Sequence, residues 1–174
     1  MIAAAASTGA EPSPAALVRL QEILAGVPDP EIPVLSVLDL GVVRHVRERA
    51  DGVIEVGVSP TYSGCPATRV IKADIVQALE RGGFRVIAVD VLSPPWTSDW
   101  ISEEGRRKLA DFGIAPPAEA VASARRLLRP DLAIACPRCN STSTTKLSEF
   151  GSTPCKALYR CESCLEPFDY FKCI

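Results

Sequence analysis

Two short cysteine pairs, Cys136-Pro-Arg-Cys139 and Cys161-Glu-Ser-Cys164, stand 21 residues apart and constrain this chain more than any other feature. A turn with two cysteines separated by two residues can aim both sulfurs at one ion. Two such turns make a tetrahedral four-thiolate site. The ribbon pattern of paired turns spans about 15–20 intervening residues, and the spacing here lies just outside it. So short a tail cannot bury enough apolar surface to fold unaided. Residues 132–174 are therefore expected to form a β-rich zinc ribbon on Cys136, Cys139, Cys161 and Cys164. Its zinc would be structural, because four thiolates leave no open coordination position.

Six of the seven cysteines fall in the last 39 residues, and two of them, Cys155 and Cys173, keep a second arrangement open. Cys155-x₅-Cys161-x₂-Cys164 with a later Cys173 lies close to a plant-type ferredoxin spacing. A permanent iron–sulfur cluster on those four is the alternative, and it strands Cys136 and Cys139. With zinc on the two pairs, Cys155 and Cys173 become small buried hydrophobes. A thioredoxin-type redox pair needs a strand–CxxC–helix setting, and the surroundings of Cys136 form turns instead.

The single histidine, His45, excludes whole reaction classes. An HExxH site and a paired Glu-x-x-His di-iron centre each need at least two histidines. GxGxxG and Walker A patterns are absent, so no dinucleotide or P-loop site is expected. A net charge of −2 carries no nucleic-acid footprint. The tail's basic residues, Arg138, Lys146, Lys156, Arg160 and Lys172, are nearly balanced by acidic ones. No apolar run approaches the ~20 residues that cross a bilayer, and Met1 to Ala6 lacks the basic start of a signal peptide. Cytoplasm is the expected compartment, where clustered cysteines hold metal rather than form disulfides.

Ahead of the tail the chain reads as a small α/β unit, with 47% apolar residues enough for a packed core. Residues 1–13 are expected to be a disordered leader. A helix starts at Ser13-Pro14, an N-cap followed by proline, carries Leu17, Leu20 and Leu24 on one stripe, and stops at Gly26. Three prolines between Pro28 and Pro33 build a rigid loop. Leu40 to Val46 and Val53 to Val58 read as a hairpin. A helix from Pro66 to about Arg81 faces Val70, Ile71, Ile75 and Leu79 inward. Phe84 to Leu92 is expected as a well-buried third strand, and a last helix from about Ser98 to Phe112 ends at Gly113. The order α-β-β-α-β-α makes a two-layer sandwich over residues 14–117, joined to the ribbon by a linker at 118–131.

Cys65, in Ser63-Gly64-Cys65-Pro66, stands at the start of the second predicted helix. Unpaired N–H groups and the positive end of the helix dipole favour a thiolate there and raise its affinity for metal. A plain N-cap cysteine is the alternative. A Cys65–His45 nucleophile pair is conceivable, but His45 reads as an edge-strand residue, so hydrolysis is not expected. Asp29, Glu31 and Asp39 flank the rigid loop. They can orient a metal or a cation, or merely close turns. Trp96 and Trp100 read as an interface patch or a core edge.

The segments Asp29-Pro-Glu-Ile-Pro-Val-Leu-Ser-Val-Leu-Asp39-Leu-Gly-Val-Val43 and Thr61-Tyr-Ser-Gly-Cys-Pro-Ala-Thr68 resemble the MIP18 (DUF59) family of iron–sulfur assembly factors. Pro95-Trp-Thr-Ser-Asp-Trp-Ile101, Ser148 to Arg160, Cys161 to Glu166 and Phe168-Asp-Tyr-Phe-Lys-Cys173 narrow the match to the PaaD (PaaJ) family of phenylacetyl-CoA epoxidase subunits. That resemblance implies a non-catalytic accessory role in aerobic phenylacetate breakdown, within a monooxygenase complex. It also implies partners, a di-iron oxygenase and a flavin/iron–sulfur reductase, whose metal centres such proteins mature or maintain. A homodimer is compatible with it. In related factors the cysteine matching Cys65 is implicated in cluster transfer and Asp39 matches an acidic position, so transient iron or iron–sulfur at Cys65, near Asp39, is implied. Asp29 and Glu31 are carried over with them.

Overall fold

The structure, a computed structural model, describes residues 9–62, 64–117 and 134–172. The first helix, α1 (Pro14–Ala25), begins where the Ser13-Pro14 signal places it. Ser13 Oγ accepts from the Ala16 N–H at 3.3 Å, and Leu20 and Leu24 are buried. Order begins earlier than expected, because Ala10 exchanges backbone hydrogen bonds of 2.9 and 2.8 Å with Glu48. Of the expected leader, residues 1–8 lie outside the described residues.

The hairpin forms from β1 (Val43–Glu48) and β2 (Ile54–Val58), which pair antiparallel. Leu40 and Val42 are buried without being strand, since the preceding segment is held in turns by Asp39. The next helix, α2 (Ala67–Arg81), buries Ala67, Ile71, Ile75 and Leu79, one residue per turn. Val70, expected inward, is 47% exposed because the buried stripe runs at i, i+4, i+8. The third strand, β3 (Val86–Asp90), pairs parallel with β2, giving the order β1-β2-β3. Every residue of β2 is buried, whereas β3 is only half-buried and more exposed at its end. The expected well-buried third strand is an edge strand among the described residues.

After the cis Ser93–Pro94 peptide the chain makes a 3₁₀ turn at Ser98–Trp100. The helix α3 (Glu103–Phe112) starts later than expected because Ser102, not Ser98, is its cap: Ser102 Oγ accepts from the Gly105 N–H at 2.9 Å. Gly113, at φ +91°, ends it.

Beyond α3 the two expected units pack against each other. A two-residue strand, β4 (Ile114–Ala115), pairs parallel with β7 (Pro167–Phe171). With β5 (Thr144–Ser148) and β6 (Lys156–Cys161) these form a second sheet ordered β4-β7-β6-β5. The α/β half therefore donates a strand to the ribbon's sheet. In return the ribbon gives Cys155 and Phe171 to the α/β core. A smaller apolar cluster, centred on Phe168, Tyr170 and the two buried cysteines Cys136 and Cys161, lies inside the ribbon. The expected linker at 118–131 lies outside the described residues.

Candidate functional site

The four ribbon cysteines converge. The sulfurs of Cys136, Cys139, Cys161 and Cys164 all lie within 4.8 Å of one another. Cys136 Sγ is 3.7 Å from Cys164 Sγ, and Cys139 Sγ is 3.5 Å from Cys161 Sγ. A zinc ion with Zn–S bonds of about 2.3 Å sets tetrahedral S···S edges of about 3.8 Å, so the donor set fits that ion. The backbone builds the site. The Arg138 N–H donates to Cys136 Sγ at 3.4 Å and the Cys164 N–H to Cys161 Sγ at 3.5 Å. Cys161 is pushed down to about 6, chiefly by the Cys164 N–H, which together with the Ser163 N–H outweighs burial. The residue after each pair, Asn140 (φ +59°) and Leu165 (φ +64°), adopts the left-handed conformation.

Cys155 does not join this group. It is buried in the α/β core, with Sγ 3.0 Å from Thr153 Oγ1. The ferredoxin-like set of Cys155, Cys161, Cys164 and Cys173 is thus not brought together, because the loop before β6 carries Cys155 into that core and away from the paired turns. Cys173 lies outside the described residues.

A second constellation surrounds Cys65. This half-buried cysteine sits two residues before α2, in a turn where its N–H donates to the Tyr62 carbonyl at 3.1 Å and its carbonyl accepts from the Thr68 N–H at 3.3 Å. It lines a small cleft together with Asp29, Glu31, Cys155 and Phe171. The cleft wall is shaped by the proline loop, where Asp29 Oδ1 accepts from the N–H groups of Glu31 (2.9 Å) and Ile32 (2.7 Å). Burial raises the Asp29 carboxyl above its ordinary range, against the pull of those two donors. Glu31 is raised as well, by burial first and then by the Asp29 charge. Burial also pushes the Cys155 thiol up, opposed by the Thr153 hydroxyl. The Tyr62 hydroxyl is pushed up to about 12 by burial, then by the charge of Cys65 and a hydrogen bond to it, with Glu31 and Cys155 adding to the effect. Tyr62, Cys65, Cys155 and Glu31 therefore share one electrostatic neighbourhood.

Comparison with known proteins matches a separate family model to each half of the chain. Residues 18–91 match the family model described as "Iron-sulfur cluster assembly protein", and residues 120–172 match the "PaaD zinc beta ribbon domain". The chain is 51% identical over 153 residues to an Escherichia coli (strain K12) protein named as a subunit of a "Putative 1,2-phenylacetyl-CoA epoxidase", covering 87% of this chain and 90% of that one. The chain belongs to the PaaD family.

A second relative of this PaaD-family chain is the "Fe-S protein maturation auxiliary factor" of Porphyromonas gingivalis (strain ATCC BAA-308 / W83), 37% identical over 89 residues, or 50% of this chain and 84% of that protein. Among solved structures, the DUF59 domain from Bacillus anthracis is similar with a TM-score of 0.49 at 24% identity, over 53% of this chain and 89% of that chain.

The remaining site expectations divide. Asp29, Glu31 and Cys65 meet in the cleft, and Asp39 does not line it. The Asp39 carboxylate accepts from the Ser36 N–H (2.9 Å) and hydroxyl (2.8 Å), from Lys108 Nζ (2.8 Å) and from Ser102 Oγ (3.3 Å). Burial alone would raise its pKa, but the Lys108 ammonium and the Ser36 donors outweigh burial and hold it below the usual range. The expectation that Asp39 stands beside Cys65 is corrected: Asp39 ties the turn before β1 to α3. Trp96 and Trp100 form a core edge. Trp96 Nε1 donates to the Leu40 carbonyl at 2.9 Å, and the Arg44 guanidinium stacks 3.3 Å above the Trp100 ring. His45 faces Glu55 (Nε2 to Oε1, 3.2 Å), its ring lying over Gly57, and it makes no pair with Cys65. Cys155, expected as an alternative ligand in the tail or as a small buried hydrophobe, lines the Cys65 cleft instead, a placement its spacing in the tail does not signal.

Among the described residues, no helix is long and apolar enough to cross a membrane.

Proposed function

We propose that this chain is an accessory subunit of a phenylacetyl-CoA epoxidase system that loads or maintains the iron or iron–sulfur centres of the oxygenase or reductase, with Cys65 as the residue that handles the cargo. The observation that supports this reading is the division of labour between two sulfur sites. Four sulfurs within 4.8 Å of one another make a saturated site suited to a permanent structural ion. Cys65 instead lines a cleft beside carboxylates, where a cargo ion keeps free coordination positions and can leave. The ribbon residues Cys136, Cys139, Cys161 and Cys164 would hold zinc, whose role is to fold the ribbon and present its surface to a partner. The names of the two relatives, an epoxidase subunit and an iron–sulfur maturation factor, are consistent with that assignment. The chain's own part is binding and orientation: the proline loop sets the Asp29 and Glu31 carboxyls on the wall of the cleft that Cys65 lines.

Co-expression of the oxygenase and reductase with the Cys65→Ala variant tests the reading. The variant should fold and retain its zinc while its client comes out poor in iron. A fully loaded, active client would overturn it. A permanent cluster in the ribbon, making this an electron-transfer subunit, predicts a visible absorption band from the purified chain. A colourless chain with one zinc would exclude that alternative.

A further inference from the structure

We infer that the free edge of β3 is an interface for a second copy of this chain, the two β3 strands pairing antiparallel about a two-fold axis at Ala88 and joining two three-stranded sheets into one. The inference is independent of the cargo that Cys65 handles, since no residue of β3 lines that cleft.

Edge strands invite pairing with other chains, and proteins blunt them with bulges, lysines, shortness or a covering segment. Among the described residues, three of the four sheet edges are blunted in these ways. The β1 edge carries a bulge between Val43 and His45 and is bridged at Glu48 by Ala10. The β5 edge carries a bulge between Lys146 and Ser148, with Lys146 itself on it. The β4 edge is two residues long. The β3 edge has none of these devices. Val86-Ile-Ala-Val-Asp90 pairs with β2 without a shift in register, holds no lysine or proline, and has no described strand on its other flank. Its inner flank is fixed where the Ile54 N–H donates to the Arg85 carbonyl (2.7 Å) and the Val91 N–H to the Val58 carbonyl (2.8 Å). Alternation along the strand then turns the backbone groups of Val86, Ala88 and Asp90 outward.

A second copy fits that edge in hydrogen bonding, side chains and charge. With Ala88 opposite its own counterpart, Val86 stands opposite the second copy's Asp90. Every outward residue then meets another outward residue, and each pair exchanges two N–H···O=C bonds. The same register sets Ile87 against the second copy's Val89 on one face, and Phe84 against its Leu92 on the other. Leu92 is 70% exposed in the single copy. Lys72 reaches from α2 to Asp90 at 2.7 Å, which marks the flank of that helix turned toward the β3 edge. Val76 and Glu80 follow Lys72 at i+4 and i+8. The helix runs antiparallel to β3, and four helical residues advance about as far as two strand residues, roughly 6 Å. Val76 therefore lies level with Ala88. A two-fold axis there brings Lys72 opposite the second copy's Glu80, and holds the two Asp90 carboxylates four strand positions apart. Val58, the last residue of β2, lines the Cys65 cleft, so antiparallel pairing sends the two clefts to opposite ends of the joint sheet. One short strand pair and one helix flank make a small interface, so the dimer is reversible, with a Kd of about 10–500 μM.

The test is sedimentation of the full-length, reduced, zinc-loaded chain from about 5 μM to about 1 mM, with amide hydrogen exchange followed residue by residue at both limits. The average mass should rise toward that of two chains, and the Val86, Ala88 and Asp90 amides should gain protection at the high concentration only. Ala88→Pro removes an outward N–H and no bond to β2, and should weaken dimerisation about tenfold or more. Leu92→Ser, a change at an exposed position that leaves the fold intact, should weaken it about fivefold. Glu80→Lys should weaken it at low salt only, because salt screens the repulsion from Lys72. A chain that stays monomeric throughout that range would overturn the inference, as would a dimer indifferent to both Ala88→Pro and Leu92→Ser. Protection of the three amides at every concentration in a monomer means that the chain covers its own edge, and sinks the inference too. A monomer whose three amides become protected only when the oxygenase or reductase is added assigns the edge to a client strand, with the same consequence.

Discussion

The ring of Phe171, on the last strand of the ribbon, packs against Trp96 of the α/β half, with centroids 6.2 Å apart and planes tilted by 54°. Phe171 is 1% exposed and belongs to the α/β core, so the ribbon is seated by a buried aromatic. The same seating carries Cys155 into the Cys65 cleft. Any change that unseats Phe171 therefore acts on the ribbon's stability and on the composition of the cleft together.

Phe171→Ala should destabilise the chain by about 3–5 kcal/mol, the range for truncating a fully buried aromatic. Urea unfolding followed by Trp96 emission measures it. A loss below about 1 kcal/mol would mean that the two halves are not packed through this contact.

Removal of the ribbon metal should unfold the ribbon first. Cys161→Ser eliminates the sulfur that the Cys164 and Ser163 N–H groups stabilise as a thiolate. Zinc content should fall well below one per chain, and the near-ultraviolet circular dichroism of the packed Tyr159, Phe168 and Tyr170 rings should collapse. Strong chelators should reproduce this in the wild type, faster at lower pH, where protons compete for the sulfurs.

Leu165 occupies a left-handed backbone conformation at φ +64° and is 67% exposed, so its side chain contributes little packing against a local strain. A residue with a Cβ loses roughly 1–2 kcal/mol there, part of which glycine returns through the entropy of its unfolded state. Leu165→Gly should raise stability by up to about 1 kcal/mol. Asn140→Gly, at the equivalent place in the other pair, should gain less because asparagine tolerates this region. Thermal melting of the zinc-loaded variants decides it, and a lower melting temperature for Leu165→Gly would refute the strain argument.

Two carboxyls should produce opposite pH signatures. Asp29 has its folded pKa raised above the ordinary 3.8, so its contribution is most favourable at low pH and is lost as pH rises through the window above that value. Asp29→Asn keeps an oxygen for the Glu31 and Ile32 N–H groups, and should be more stable than wild type at neutral pH with no advantage below about pH 4. Asp39 is lowered, so its stabilisation is full above the ordinary value and disappears as pH falls through its folded pKa. Asp39→Asn should be less stable than wild type at neutral pH and approach it in acid. Paired melting curves from about pH 3 to 8 test both signs.

Gly41, at φ +64°, passes so close to Trp100 that an added Cβ would lie 2.3 Å from the Trp100 carbonyl oxygen. Backbone cannot yield there as a flexible side chain would. Gly41→Ala should cost more than about 2 kcal/mol, the left-handed penalty plus the displaced turn. A near-neutral result, read by urea denaturation, would show that the Asp39-Leu-Gly turn is free to shift.

Much of the architecture follows from local rules that the sequence states directly. Ser13-Pro14 starts a helix because a hydroxyl caps one orphan N–H and proline lacks another. The CxxC spacing specifies the ribbon's metal site because two residues between cysteines suffice to turn both sulfurs to one side. The proline-rich loop and Cys65 announce themselves through residue types with few conformational choices. Features that depend on distant partners are invisible at that level. Residues 98–101 look helical, yet Ser102 caps the helix because its neighbours are held by Asp39 and Lys108. Asp39 looks like a ligand, yet an ammonium sixty-nine residues away claims its carboxylate. Ile114–Ala115 looks like the end of a domain, yet it is a strand of the next sheet because an edge of β7 lies beside it. Cys155 looks like part of the tail's cysteine pattern, yet it is buried in the α/β core. Sequence determined that this chain has a four-sulfur ribbon and a cysteine at the head of a helix. Only the tertiary structure, by burying Phe171 on Trp96, decided that Cys155 of the ribbon lines the same cleft as Cys65. Side-chain burial between elements depends on where a whole surface lands, which no short stretch of residues encodes.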